Sequence, residues 1–83
     1  MTYVQEVVSV LDRVLNLKGR SAHFTEDTPL LGHLPELDSM AVAAVLTALE
    51  ERFGIIVEDD EIDGRTFATV GTLAEYVRSK VAA

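Results

Sequence analysis

The sequence predicts an all-α fold, a four-helix bundle of three main helices and one short acidic helix. Apolar residues recur at helical spacing in three separate stretches, the pattern that places one apolar stripe along a helix. The only β-branched run, Ile55-Ile56-Val57, is too short and solitary to build a sheet. The 83 residues are 48% apolar and 25% charged, the balance of a globular chain and not of a disordered one.

The first stripe is Val4, Val7, Val8, Leu11, Val14 and Leu15. Thr2 with Gln5 three residues on fits a capping box, and Lys18-Gly19 is the expected end, with Gly19 as a left-handed cap. The connection that follows, Gly19 to Leu37, is long for a compact helical protein, and connections of this length are often functional. It carries Phe24, Leu30, Leu31, Leu34 and Leu37, so it is expected to pack across the core, with Pro29 and Pro35 stiffening it. Val42, Val45, Leu46, Leu49 and Phe53 form the second stripe, closed by Gly54. The acidic run 58–63 suffices for one or two helical turns stopped by Gly64. Val70, Leu73, Val77 and Val81 make a C-terminal helix capped by Thr69, or by Thr72 with Glu75.

This length predicts one domain over residues 1–83, folding to roughly 4,900 Å² of surface, with little room for a deep substrate cavity. No cysteine is present, which removes disulfides, thiolate metal sites and any catalytic thiol encoded in the chain. A net charge of −7 disfavours nucleic acid and anionic membrane surfaces and favours basic protein partners. The charge is uneven: residues 36–63 carry a net −8, against −1 before them and +2 after. Met1 to Glu6 lack a basic leader and no apolar run approaches a membrane span, so a cytoplasmic monomer is expected.

The most informative stretch is Glu36-Leu37-Asp38-Ser39-Met40, where the long loop meets the second helix. Asp and Ser at a helix start are ordinarily caps. If Asp38 is the cap, Ser39 falls at the first helical position with its hydroxyl at the surface. A helix N-terminus offers unpaired amides and partial positive charge, a setting that tolerates a phosphodiester. Two other chemistries fail on the residues. Asp59, Glu61, Asp63 and Gly64 mimic part of a calcium loop, but Val70 stands where the bidentate Glu is needed, so no metal site is expected and the run reads as a solvated acidic face. A serine hydrolase from Ser39, Asp38 and His23 or His33 lacks a nucleophile elbow, and an aspartate adjacent to the nucleophile cannot orient its histidine.

Asp38-Ser39-Met40, followed by a helix closing Ala48-Leu49-Glu50-Glu51-Arg52-Phe53-Gly54, resembles an acyl carrier protein. The likeness runs through Thr69-Val70 and Leu73-Ala74-Glu75-Tyr76-Val77 and covers nearly the whole chain. It implies that Ser39 receives a 4′-phosphopantetheine arm from coenzyme A through a separate phosphopantetheinyl transferase. The arm's thiol would then hold acyl groups as thioesters, and the chain itself would catalyse nothing. By the same resemblance Asp38 helps the transferase bind magnesium, and Met40 offers partners an apolar contact.

The chain departs from common fatty-acid carriers in two ways. His33-Leu34-Pro35-Glu36-Leu37 separates Leu31-Gly32 from the Asp-Ser pair, and the face of the second helix carries Ala41, Ala43, Ala44 and Thr47 in place of acids. In this it is similar to stand-alone carriers beside AMP-forming acyl ligases in exosortase-linked polysaccharide systems, and an AMP-forming ligase or an acyltransferase is the expected further partner. Glu36, Met40, Val42, Ala43, Glu50, Glu51, Glu58, Asp59 and Asp60 form the expected partner surface. Val45, Leu46, Leu49, Ile62 and Val70 would line a sheltered acyl chain, since exposing one to water costs about 0.8 kcal/mol per methylene. An aminoacyl or peptidyl carrier would use the same serine, whereas an unmodified helical interaction module would leave it bare.

Overall fold

Three stretches are helical: α1 (Tyr3–Leu15), α2 (Ser39–Phe53) and α3 (Val70–Ala82), with a 3-10 turn at Arg20–His23. The structure is a computed structural model that describes residues 3–58, 60 and 62–82. The all-helical class is as expected, with no strand among the described residues beyond an isolated bridge between Pro29 and Thr69. The helix count differs: the 3-10 turn was not expected, and the short acidic helix falls on Asp59 and Glu61, outside the described residues. The proposed cap Thr2 also lies outside them.

α1 ends at Leu15, not at Lys18-Gly19. Asn16 takes φ 55°, and the Leu17 N–H reaches back to the Asp12 carbonyl at 3.0 Å, the six-to-one bond of a Schellman close. A short polar side chain makes asparagine tolerant of this conformation. The early close lets Leu17 turn into the core, where it is buried. Gly19, at φ 86°, serves instead as the entry to the 3-10 turn. Gly54 closes α2 as expected, at φ 65°, with the Glu50 carbonyl accepting from Gly54 at 2.9 Å and Ile55 at 3.2 Å.

Thr69, not Thr72, caps α3. Its Oγ1 accepts from the Thr72 amide at 3.1 Å, and Thr72 Oγ1 accepts from the Thr69 amide at 3.0 Å, a reciprocal box made by two threonines. Glu75 pairs with Arg78. The remaining amides of that first turn are satisfied by the long loop: Val70 donates to Thr28 O at 3.0 Å and Gly71 to Glu26 O at 2.7 Å. Leu30 and Leu31 donate in turn to Ala68 O and Phe67 O, so residues 26–31 are zipped along residues 67–71.

α1 packs against both α2 and α3, which touch each other less. Its core face is Val7, Val10, Leu11 and Leu15; α2 adds Val45 and Leu49, and α3 adds Val70, Leu73, Ala74 and Val77. Leu17, Leu30, Leu37 and Phe67 complete the core from the connections. Two expected core residues are outside it, Leu31 at 44% and Val81 at 39% exposure. Leu31 follows buried Leu30 in a turn, closed by the Leu30 carbonyl accepting from His33 and Leu34 at 3.0 Å each, and the turn leaves the Leu31 side chain outside the core. Val81 sits on the last turn of α3, beyond buried Val77. The folded surface is 5084 Å², close to the value of about 4,900 Å² expected for this mass.

Gly71 is required for close approach. A Cβ there would meet the Glu26 carbonyl oxygen at 2.8 Å, and the obstacle is backbone that cannot swing aside. Gly71→Ala is therefore expected to destabilise by about 1–3 kcal/mol, although alanine is the better helix former. Urea denaturation checks this; a more stable variant would show that the loop yields freely.

Candidate functional site

Two helix N-termini are described in full, and they differ. That of α3 is closed by loop carbonyls and threonines, whereas that of α2 is open. Asp38, in extended conformation, caps α2: its Oδ1 accepts from the Ala41 amide at 2.8 Å, and its carbonyl accepts from Val42 at 2.8 Å. Ser39 and Met40 precede the first intrahelical bond, and their amides have no acceptor among the described residues. Both side chains are exposed, Met40 at 82%. The expected arrangement is thus present: a capping aspartate, an exposed serine hydroxyl at the first helical position and unpaired amides at the positive end of the helix dipole.

Asp38→Ala removes the cap and is expected to cost about 1 kcal/mol of stability, while Asp38→Asn, which keeps an acceptor, costs less. Chemical denaturation of the two variants separates them; equal losses would show that the charge and not the hydrogen bond matters.

The loop enters α2 through two holdfasts. Leu37 is buried, and its N–H donates to Leu34 O at 3.0 Å. Glu36 Oε2 is ion-paired with Arg20 Nη2, a pairing of residues 16 apart that no local sequence signal announces. The Arg20 hydrogen bond holds the Glu36 carboxyl below its ordinary pKa.

The expected partner surface is only partly assembled. Met40, Ala43 and Glu51 are exposed on α2, Val42 is half-buried, and Glu58 and Asp60 are exposed beyond it. Glu50 is turned inward, its Oε2 accepting from the Val57 amide at 2.9 Å, and Glu36 is tied to Arg20. Asp59 lies outside the described residues. Of the expected acyl-lining residues, Val45, Leu49 and Val70 are fully buried, and Leu46 and Ile62 half-buried. Leu46 also borders a surface cleft of about 190 Å³ with Ala43, Thr47, Glu50 and Val57, which the apolar periodicity alone does not reveal.

The competing chemistries gain no geometry. His23, at the end of the 3-10 turn, and His33, in the loop beyond it, are both exposed. The Asp63 carboxylate accepts from the Arg65 and Thr66 amides at 2.9 and 3.2 Å, while Asp59 and Glu61 lie outside the described residues. No cluster of three or more metal-binding side chains is found among the described residues, and no described helix is long and apolar enough to cross a membrane.

A family model described as "Phosphopantetheine attachment site" matches residues 5–77, a span that includes Asp38, Ser39 and Met40. Along its full length the chain is also similar to the solution NMR structure of a holo acyl carrier protein from Nitrosomonas europaea, with 48% identity, 100% of both chains covered and a TM-score of 0.93. The chain belongs to the acyl carrier protein family. No curated protein matches it.

As an acyl carrier protein it works with a phosphopantetheine prosthetic group, in a family whose members are generally not catalysts. The open end of α2 suits that group. An exposed hydroxyl can be esterified without disturbing the core, and the two free amides and the helix dipole favour the negative charge of a phosphodiester.

Proposed function

We propose that Ser39 Oγ is the attachment atom of the 4′-phosphopantetheine arm, and that the chain presents acyl thioesters on it to partner enzymes without catalysing a step itself. The observation that carries this reading is the exposed Ser39 hydroxyl at the open N-terminus of α2, within the span of the family match. The bound arm supplies the thiol that the cysteine-free chain lacks. Asp38 supports loading by holding the first turn of α2 in place and by presenting a carboxylate, with acceptor capacity beyond its cap bond, to the transferase's magnesium. Met40 is the apolar contact for partners.

The proposed partners are a phosphopantetheinyl transferase and an AMP-forming acyl ligase or acyltransferase, met by a cytoplasmic monomer. Their basic surfaces would engage Glu51, Glu58 and Asp60 around the apolar Met40 and Ala43. The carboxylates of Glu50 and Glu36 are engaged by the Val57 amide and by Arg20. For the cargo, the cleft beside Leu46 is the proposed entrance, and reaching Val45, Leu49 and Val70 requires the helices to part.

Mass spectrometry after incubation with coenzyme A and a broad-specificity transferase tests the reading. The expected result is a mass gain of one phosphopantetheine, mapped to the peptide that contains Ser39. An unchanged mass, or an arm on Ser9, Ser21 or Ser79, would overturn it.

A further inference from the structure

The Arg20–Glu36 pair joins two segments that no other described polar contact connects. On one side Arg20 is firmly held. Its backbone N–H and its Nε both donate to the Leu17 carbonyl, at 3.1 and 3.2 Å, and Leu17 is buried. Asp12 of α1 braces the same turn, with its carboxylate accepting from the Gly19 amide at 3.2 Å and from the Ser21 hydroxyl. Arg20 is therefore fixed to the C-terminal end of α1. On the other side Glu36 lies two residues before the cap Asp38 and three before Ser39, at the end of the segment 32–36 in which Gly32, His33 and Pro35 are all exposed. The Leu30 carbonyl turns that segment back by accepting from His33 and Leu34, each at 3.0 Å, and beyond such local backbone bonds half-buried Leu34 and the Glu36 pair steer it between the anchored Leu31 and buried Leu37.

Neither oxygen of Glu36 is available for docking. Oε2 is engaged by Arg20, and Oε1 is shielded from solvent without a hydrogen-bond partner among the described residues. Stability is a weak reason for such a pair, because exposed ion pairs contribute little. What the pair does constrain is direction: it ties the chain's entry into α2 to the end of α1.

We propose that Arg20 and Glu36 form a positioning latch that orients the Asp38-Ser39-Met40 triplet, so that Ser39 reaches the transferase in a reactive attitude. This rests on the reading of Ser39 as the attachment residue. Glu36 acts through the backbone it holds and not by touching the transferase.

The test compares wild type, Arg20→Gln, Glu36→Gln and the charge-swapped double variant Arg20→Glu/Glu36→Arg, in steady-state loading from coenzyme A and in amide NMR spectra of the unloaded protein. Each single variant is expected to lower kcat for loading roughly threefold to tenfold, because small misplacements of a reacting group are costly. KM and the melting temperature stay close to wild type, the amides of Asp38, Ser39 and Met40 shift, and the swap recovers most of both effects. The latch is overturned if Arg20→Gln loads normally while Glu36→Gln raises KM, since Glu36 would then be a docking residue. It is equally overturned if the swap rescues nothing, if kcat falls only in proportion to lost stability, or if the triplet amides stay in place. Failure of the Ser39 reading looks different: wild type itself gains no arm there, while the amide shifts and their recovery still decide whether the latch orients the triplet.

Discussion

Replacing Ser39 with alanine is expected to abolish loading entirely while leaving the fold as it is. The four serines differ in what their hydroxyls do. Ser21 is buried and donates to Asp12, and Ser79 donates to the Tyr76 carbonyl at 2.7 Å. Ser9 is exposed but lies in the middle of α1, where the backbone amides are committed to the helix. Only Ser39 combines an exposed hydroxyl with adjacent unpaired amides at a helix N-terminus. Because Ser39 is exposed and its hydroxyl has no hydrogen-bond partner among the described residues, Ser39→Ala should change stability by no more than about 0.5 kcal/mol. Intact-mass measurement after transferase treatment, with a thermal melt on the same sample, reads both halves. A variant that melts normally and still gains the arm would move the attachment to another serine.

Replacing Phe67 with alanine is expected to have the largest effect on stability. Phe67 is 2% exposed and is the bulkiest fully buried side chain among the described residues. It stands in the turn before α3, and its carbonyl accepts from Leu31 at 2.9 Å, so the ring fills the core at the point where the long loop is zipped to the chain. Phe→Ala truncation in a core costs about 3–5 kcal/mol through lost burial and the cavity left behind. A domain of this size has a total stability of about 4–12 kcal/mol, so the loss is a quarter of it or more. The melting temperature should fall by more than about 10 °C. The loop should loosen with it, visible as faster amide exchange at Leu30, Leu31 and Gly71, whereas a drop of only a degree or two would show that the surrounding leucines close the gap.

Phe67 also shows where reading the chain in one dimension stops. It belongs to no apolar stripe, and nothing within a few residues marks it as core; it is buried because the loop and α3 meet around it. Val7, Val45, Leu49, Leu73 and Val77 were legible, because helical periodicity repeats within a window of seven residues and needs no knowledge of the partner helix. The same holds for the Gly54 close, the Asp38 cap and the place of Ser39 on the first turn of α2. Each depends on contacts between residues three to five apart.

What only the tertiary structure decided involves residues far apart in sequence. Leu31 was turned outward and Leu30 inward by pairing with residues 67 and 68. The close of α1 at Leu15 is the exception, a local bond from the Leu17 amide to the Asp12 carbonyl through Asn16, and it lets Leu17 enter the core. Glu36, expected as part of a docking surface, was claimed by Arg20, and Glu50 by the Val57 amide. The charge of residues 36–63 was therefore countable from the sequence, but not how much of it faces outward. Periodicity and caps are local and can be read along the chain; the pairing of distant groups is settled only when burial brings them together.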